Sequence, residues 1–147
     1  MNATKKRNRE HPPGLDPRWP YRTIRLLLVD DEATFVDTLA HRLEKRKFKV
    51  SRAYNGQEGI RLLEKAKYDV AVLDLQMEPL NGIDVLKVFH KSDPDMPVII
   101  LTGHGSKDSA EISLSCGAFD YLPKPYEFED LIIKIQSAYY TGKEPTD

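Results

Sequence analysis

Acidic, hydroxyl and cationic side chains recur in this chain where apolar runs stop. Asp30, Asp31 and Glu32 follow one run, Asp74 ends a second, Thr102 follows a third, and Lys124 comes just after a fourth. Carboxylates brought within about 4–6 Å repel by several kcal/mol per pair at an effective dielectric near 20, so such a cluster needs a counter-charge. Hard oxygen donors with a partly open shell suit Mg²⁺, which keeps waters and pairs with phosphate oxygens. A lysine supplies a point charge for an anion, and a threonine hydroxyl can hydrogen-bond to it. Together these groups describe a site for a phosphoryl group beside a divalent metal. Any one of them alone reads as a solvated loop residue; their common position at strand ends carries the argument.

The elements that must hold them follow from the apolar pattern. Val70 to Asp74 is a short apolar run ending in a carboxylate, as expected of a strand buried on both faces of a parallel sheet. Ile24 to Val29 give an earlier strand of the same kind. The spacing of Phe35, Val36, Leu39, Ala40 and Leu43 predicts a helix behind it. Lys47 to Ala53 read as an amphipathic strand whose charges suit a sheet edge. Asn55 is the expected N-cap of a helix carrying Ile60, Leu62 and Leu63. A helix with Ile83, Leu86 and Phe89 runs to about Ser92, where Asp93-Pro94-Asp95-Met96-Pro97 breaks it. Val98 to Leu101 form a fourth strand, and a helix over about 107–115 ends at Gly117. Phe119 to Leu122 give a fifth strand, and a last helix, with Leu131, Ile132 and Ile135 inward, runs from about Glu127 to Tyr140. Five strands alternating with five helices make an α/β, doubly wound parallel sheet. Its short βα loops bring the ends of strands one, three, four and five to one rim.

The chain has 147 residues, enough for one domain, with 40% hydrophobic and 31% charged residues. No apolar run approaches the roughly 20 residues that span a bilayer. The basic, polar start has no apolar segment behind it, so no secretory signal is seen. One cysteine, Cys116, excludes an internal disulfide, and a cytoplasmic home is expected. Without a neighbouring base, Cys116 reads as a small half-buried residue. Residues 1–22 hold Lys5, Lys6, Arg7, Arg9, Arg18 and Arg22 against Glu10 and Asp16, with four prolines, and read as a solvated extension. Its basic start could touch nucleic acid or an acidic partner, and Trp19 and Tyr21 could pack on the domain.

Leu28-Val29-Asp30-Asp31-Glu32, Val72-Leu73-Asp74-Leu75-Gln76-Met77, Leu101-Thr102-Gly103 and Leu122-Pro123-Lys124-Pro125 together resemble the bacterial response-regulator receiver domain of two-component systems. The resemblance covers about 23–140, with 1–22 an extension and 141–147 a short tail. It implies a flavodoxin-like sheet in order 2-1-3-4-5 and a signalling domain, not an enzyme in its own right, that assists its own phosphotransfer and dephosphorylation. Asp74 is implied to accept a phosphoryl group from a phosphohistidine on a sensor histidine kinase or phosphotransfer protein. Mg²⁺ would be held by Asp31, Asp74 and the backbone carbonyl of Gln76, with Asp30 acting mostly through water. Thr102 and Lys124 would contact phosphoryl oxygens, and Tyr121 matches the aromatic switch position. A downstream protein would bind the face of the fourth helix, fifth strand and fifth helix, where a homodimer could also form on phosphorylation. No membrane and no direct nucleic-acid contact are expected. Receivers commonly hold the Lys124-Pro125 bond cis, which is expected here. Gly117-Ala118-Phe119-Asp120-Tyr121-Leu122 looks most like receivers of enhancer-dependent transcription activators.

One departure stands out. Most receivers place proline directly after the methionine; here Glu78 takes that place and Pro79 comes one later, with Gly82 at its usual distance from Asp74. Glu78 adds a negative charge near the site or simply faces solvent. Other functions fit less well. A haloacid-dehalogenase-type phosphatase wants Asp-x-Asp where Asp30-Asp31-Glu32 offers glutamate third, and needs room for a cap domain. A flavin or dinucleotide domain wants a Gly-, Ser- or Thr-rich loop after its first strand, where amides meet phosphate. A receiver-shaped scaffold that is never phosphorylated would lack one of the key residues, and none is missing. His11, His41, His90 and His104 are scattered and make no metal site. After Tyr140 no DNA-binding helix pair, ATPase or cyclase domain fits, so a stand-alone receiver and a fragment of a longer regulator both stay open.

Overall fold

The computed structural model describes residues 23–77, 79–103 and 107–143. The extension over 1–22 with His11, Trp19 and Tyr21, together with Glu78, His104 and Gly105, lies outside these residues, and so do the expectations attached to them. Five parallel strands form one sheet: β1 (Arg25–Val29), β2 (Lys49–Ala53), β3 (Val70–Asp74), β4 (Val98–Thr102) and β5 (Asp120–Pro123). Their order is β2-β1-β3-β4-β5, as the resemblance implied. The connecting helices are α1 (Ala33–Lys45), α2 (Gly56–Lys65), α3 (Gly82–Ser92), α4 (Lys107–Ser115) and α5 (Phe128–Lys143).

β3 and β4 are buried along their whole length, because helices cover both faces of the sheet. On one face Val36, Leu39, Ala40 and Leu43 of α1 and Leu131, Ile132 and Ile135 of α5 pack against Leu26, Leu28, Val72 and Leu101. On the other, Val85, Leu86 and Phe89 of α3 meet Leu27, Val29, Leu73 and Ile100. Gly59 lets α2 close on this layer, since a Cβ there would stand 3.2 Å from the Phe89 ring and 3.0 Å from Val29. Ile60, Leu62 and Leu63 pack on it only half-buried.

Caps fix the helix starts that aim the loops. The Asn55 side chain accepts from the Glu58 N–H at 2.8 Å, while Glu58 Oε1 accepts from the Tyr54 N–H at 2.8 Å, a reciprocal closure of orphan donors. Asn81 accepts from the Asp84 N–H at 3.0 Å and starts α3. At the end of α4, Gly117 has φ 107, and the Ala118 and Gly117 N–H groups reach the carbonyls of Ser113 and Leu114, a Schellman closure.

Several boundaries depart from expectation. Lys47 and Phe48 precede β2 instead of joining it. The Phe48 N–H bonds to the Leu43 carbonyl and the Lys47 N–H to that of Glu44, so α1 also ends in a Schellman turn, with Lys47 at φ 76. β5 starts one residue later than expected, β4 takes in Thr102, and α5 continues to Lys143. The Lys124-Pro125 bond is cis, as expected. His41 and His90 are exposed and Cys116 is half-buried. Among the described residues no helix is long and apolar enough to cross a membrane.

Candidate functional site

Asp30 leaves the end of β1 fully buried, whereas Asp31 beside it is exposed. The turn into α1 explains the difference. Glu32 occupies the N-cap position of α1 with no side-chain cap bond, and its free N–H donates to Asp30 Oδ1 at 3.0 Å, holding that carboxylate inward. Asp74 ends β3 and is 2% exposed. Its Oδ1 accepts from Lys124 Nζ at 3.3 Å and from the Gln76 N–H at 3.4 Å. Lys124, in the loop after β5, also lies 4.0 Å from Asp30 Oδ2. Asp30, Asp31 and Asp74 each offer an oxygen within 4.8 Å of the others.

The electrostatics follow from that crowding. Burial above all, then the nearby Asp74 charge, pushes Asp30 up to about 7, against the Glu32 N–H and Lys124. Burial likewise raises Asp74, with Lys124 the main opposing charge. One ammonium therefore faces more negative charge than it neutralises. Asp30 Oδ2 has no hydrogen-bond partner, an uncommon condition for a buried carboxylate oxygen. An orphaned hard oxygen, two further carboxylates and an open side at Asp31 fit a small divalent cation.

Asp30, Asp31, Asp74 and Lys124 are thus brought together, and the Thr102 carbonyl accepts from the Lys124 N–H at 2.8 Å. Thr102 is 2% exposed at the end of β4, in register with Pro123, while Ile100 pairs with Tyr121. Pairing in register with alternating side chains puts Thr102, Ile100 and the half-buried Tyr121 on one face of the sheet. Gly103 lets Gln76 lie close, since a Cβ there would stand 2.6 Å from Gln76 Oε1. Gln76, Asn81, Thr102, Gly103 and Ser109 line a recess of about 290 Å³ that begins with Leu75, just past the end of β3. Glu32, grouped with the acids in the sequence, is exposed and supplies only its N–H. A larger cavity of about 540 Å³ sits at the opposite end of the sheet, among Arg25, Asp69, Asp93 and Tyr139, and holds none of these residues.

Two neighbours were not singled out in the sequence. The Lys124 ammonium lies 5.3 Å from the centroid of the Phe35 ring. The hydroxyl of Tyr126 is pushed up to about 12, by burial first and by Asp30 next. Phe35 was visible only as one apolar position of α1; its place four residues after Asp31, one helical turn on, was the available signal. Tyr126 follows Pro125 directly, and nothing in its local pattern marked it.

Comparison with known proteins adds an independent line. A family model described as the response regulator receiver domain matches residues 26–136. The chain is 35% identical over 127 residues to the transcriptional regulatory protein GlrR of Escherichia coli strain K12, covering 86% of this chain and 29% of that one. It is 32% identical over 114 residues to the response regulator MprA of Mycolicibacterium vanbaalenii, covering 78% and 49%. The chain thus spans half or less of the length of these two relatives. A response regulator receiver domain protein from Clostridium thermocellum superposes with a TM-score of 0.78 at 38% identity, over 82% of this chain and 97% of that one. A CheY-like receiver domain protein from Methanospirillum hungatei gives 0.79 at 30% identity, over 83% and 98%.

Proposed function

The chain belongs to the response regulator receiver domain family, and from that premise we propose that it accepts a phosphoryl group on Asp74 and thereby switches its binding to a protein partner. The observation that carries this reading is the buried Asp74 carboxylate, 3.3 Å from Lys124 Nζ and grouped with Asp30 and Asp31. The donor is a phosphohistidine of a sensor histidine kinase or phosphotransfer protein. An Asp74 oxygen forms a bond to phosphorus as the P–N bond breaks. The electron pair stays on the imidazole, which leaves neutral when its other nitrogen already carries a proton. Lys124 moves from the carboxylate to the phosphoryl oxygens, and Thr102 hydrogen-bonds to another. The same residues assist later attack by water, so the domain has a part in its own dephosphorylation.

Asp31, Asp74 and the Gln76 carbonyl would hold Mg²⁺, with Asp30 acting through water. When bound, the ion neutralises charge on the transferring phosphoryl oxygens. The orphaned Asp30 Oδ2 supports this assignment. Tyr121 is the switch residue, entering space opened when Thr102 is drawn inward. The α4–β5–α5 face is where the partner, or a second copy, would bind. The receiver would span 23–140, with 1–22 an extension and 141–147 a tail into which α5 runs as far as Lys143. It gives nucleic acid and membrane no direct part, and places the domain in the cytoplasm. The test is incubation with acetyl phosphate followed by intact-mass measurement. One added phosphoryl group, absent when EDTA is present from the start of the incubation, is expected; no addition in excess Mg²⁺ would refute the reading.

A further inference from the structure

Three groups surround the Lys124 ammonium: Asp74 Oδ1 at 3.3 Å, Asp30 Oδ2 at 4.0 Å and the Phe35 ring centroid at 5.3 Å. Phe35 stands in the first turn of α1, half-buried against the core. Leu39, Tyr126 and Phe128 share with it the wall of a recess of about 290 Å³ that Lys124 also lines. The ring is thus backed by protein on one side and presents its π face to a cation on the other. A cation within about 6 Å of such a face is attracted by the ring quadrupole.

We propose that Phe35 is a positioning residue for phosphoryl acceptance, its ring holding the Lys124 ammonium at the Asp74 side of the site. The proposal rests on the reading of Asp74 as acceptor given above. Lysine carries its charge on a flexible four-carbon stem with high rotamer entropy. Its bond to Asp74 must break when that oxygen takes the phosphoryl group. The ring contact need not break, because a π face accepts no phosphoryl oxygen and does not compete for one. Lys124 therefore turns from carboxylate to phosphoryl oxygen about a fixed neighbour, without a search from solvent.

An apolar filler at position 35 would give the same helix packing, so the test must vary charge distribution at constant shape. Phe35 is replaced by phenylalanines of increasing ring fluorination, which weakens the negative π face while nearly preserving size; Phe35→Leu and Phe35→Trp complete the set. Beryllofluoride affinity, the rate of labelling by acetyl phosphate and Mg²⁺ affinity are measured for each. The expected result is a graded loss of beryllofluoride affinity and labelling rate, reaching about two- to fivefold, as a partly exposed cation–π contact implies. Phe35→Leu should match the most fluorinated ring, Phe35→Trp should restore the wild-type values, and Mg²⁺ affinity should hold throughout. A flat fluorination series in a protein whose wild type is labelled would overturn this inference alone. A parallel fall in Mg²⁺ affinity would also overturn it, showing general distortion of the site. A wild type that takes neither phosphoryl group nor beryllofluoride would remove the parent reading and this inference with it.

Discussion

Replacing Asp30 by asparagine should make the metal-free protein more stable while impairing its site. Asp30 is fully buried and its Oδ2 lacks a hydrogen-bond partner, with only the Lys124 ammonium 4.0 Å away. Its carboxyl is raised from 3.8 to about 7, a rise of about three units, or ~4 kcal/mol as an upper value at 1.36 kcal/mol per unit. Part of that belongs jointly to Asp74 and Lys124, so ~2–4 kcal/mol is the usable range. The folded pKa lies above the unfolded one, so between about pH 4 and 7 the unfolded chain has lost a proton that the folded chain keeps. Stability therefore falls as pH rises through that window and levels off above it. Asparagine stays neutral, and its side-chain oxygen can still accept the Glu32 N–H. Urea unfolding in EDTA should show Asp30→Asn above wild type at pH 8, by ~1–3 kcal/mol more than at pH 5. Saturating Mg²⁺ should stabilise wild type strongly, since binding to the folded state alone adds to its stability, and the variant much less. A gap that does not widen with pH, or a variant less stable at pH 8, would refute the reasoning.

Other outcomes follow from the same geometry. Lys47→Gly should stabilise the fold by ~1 kcal/mol in chemical denaturation, because Lys47 holds φ 76, where a side chain is strained. Asn55→Ala should cost ~1 kcal/mol by removing the cap on the Glu58 N–H, measured in the same way. Asp31→Ala should weaken Mg²⁺ binding by calorimetry far more than Glu32→Ala, and equal losses would remove Asp31 from the ligand set. Beryllofluoride should shift amide resonances across 102–125 in wild type and much less in Thr102→Ala; identical shifts would show that Thr102 does not carry the signal.

Much of the architecture is legible in the sequence because buried parallel strands leave apolar runs with abrupt ends, and the doubly wound topology brings those ends to one rim. That is why the sequence alone groups Asp30, Asp74, Thr102 and Lys124. The two Schellman turns show where legibility stops. The end of α4 is announced by Gly117, a residue suited to positive φ. The same closure at the end of α1 uses Lys47, whose type gives no sign of it, so the sequence pattern assigns Lys47 to β2. Side-chain direction is the other gap. Periodicity places Phe35 and Leu39 on α1, but it cannot tell that Leu39 enters the core while Phe35 turns toward Lys124. The opposite burial of Asp30 and Asp31, adjacent and alike in type, is likewise a product of the turn into α1.

The central claim is that Asp74 is the phosphoacceptor, and trapping the modified residue tests it most directly. After labelling by acetyl phosphate in Mg²⁺, borohydride reduction converts an aspartyl phosphate to homoserine, which peptide sequencing by mass spectrometry can locate. Homoserine at position 74 alone, and no label in Asp74→Asn, is the predicted result. Homoserine at another aspartate, or undiminished labelling of Asp74→Asn, would contradict the account.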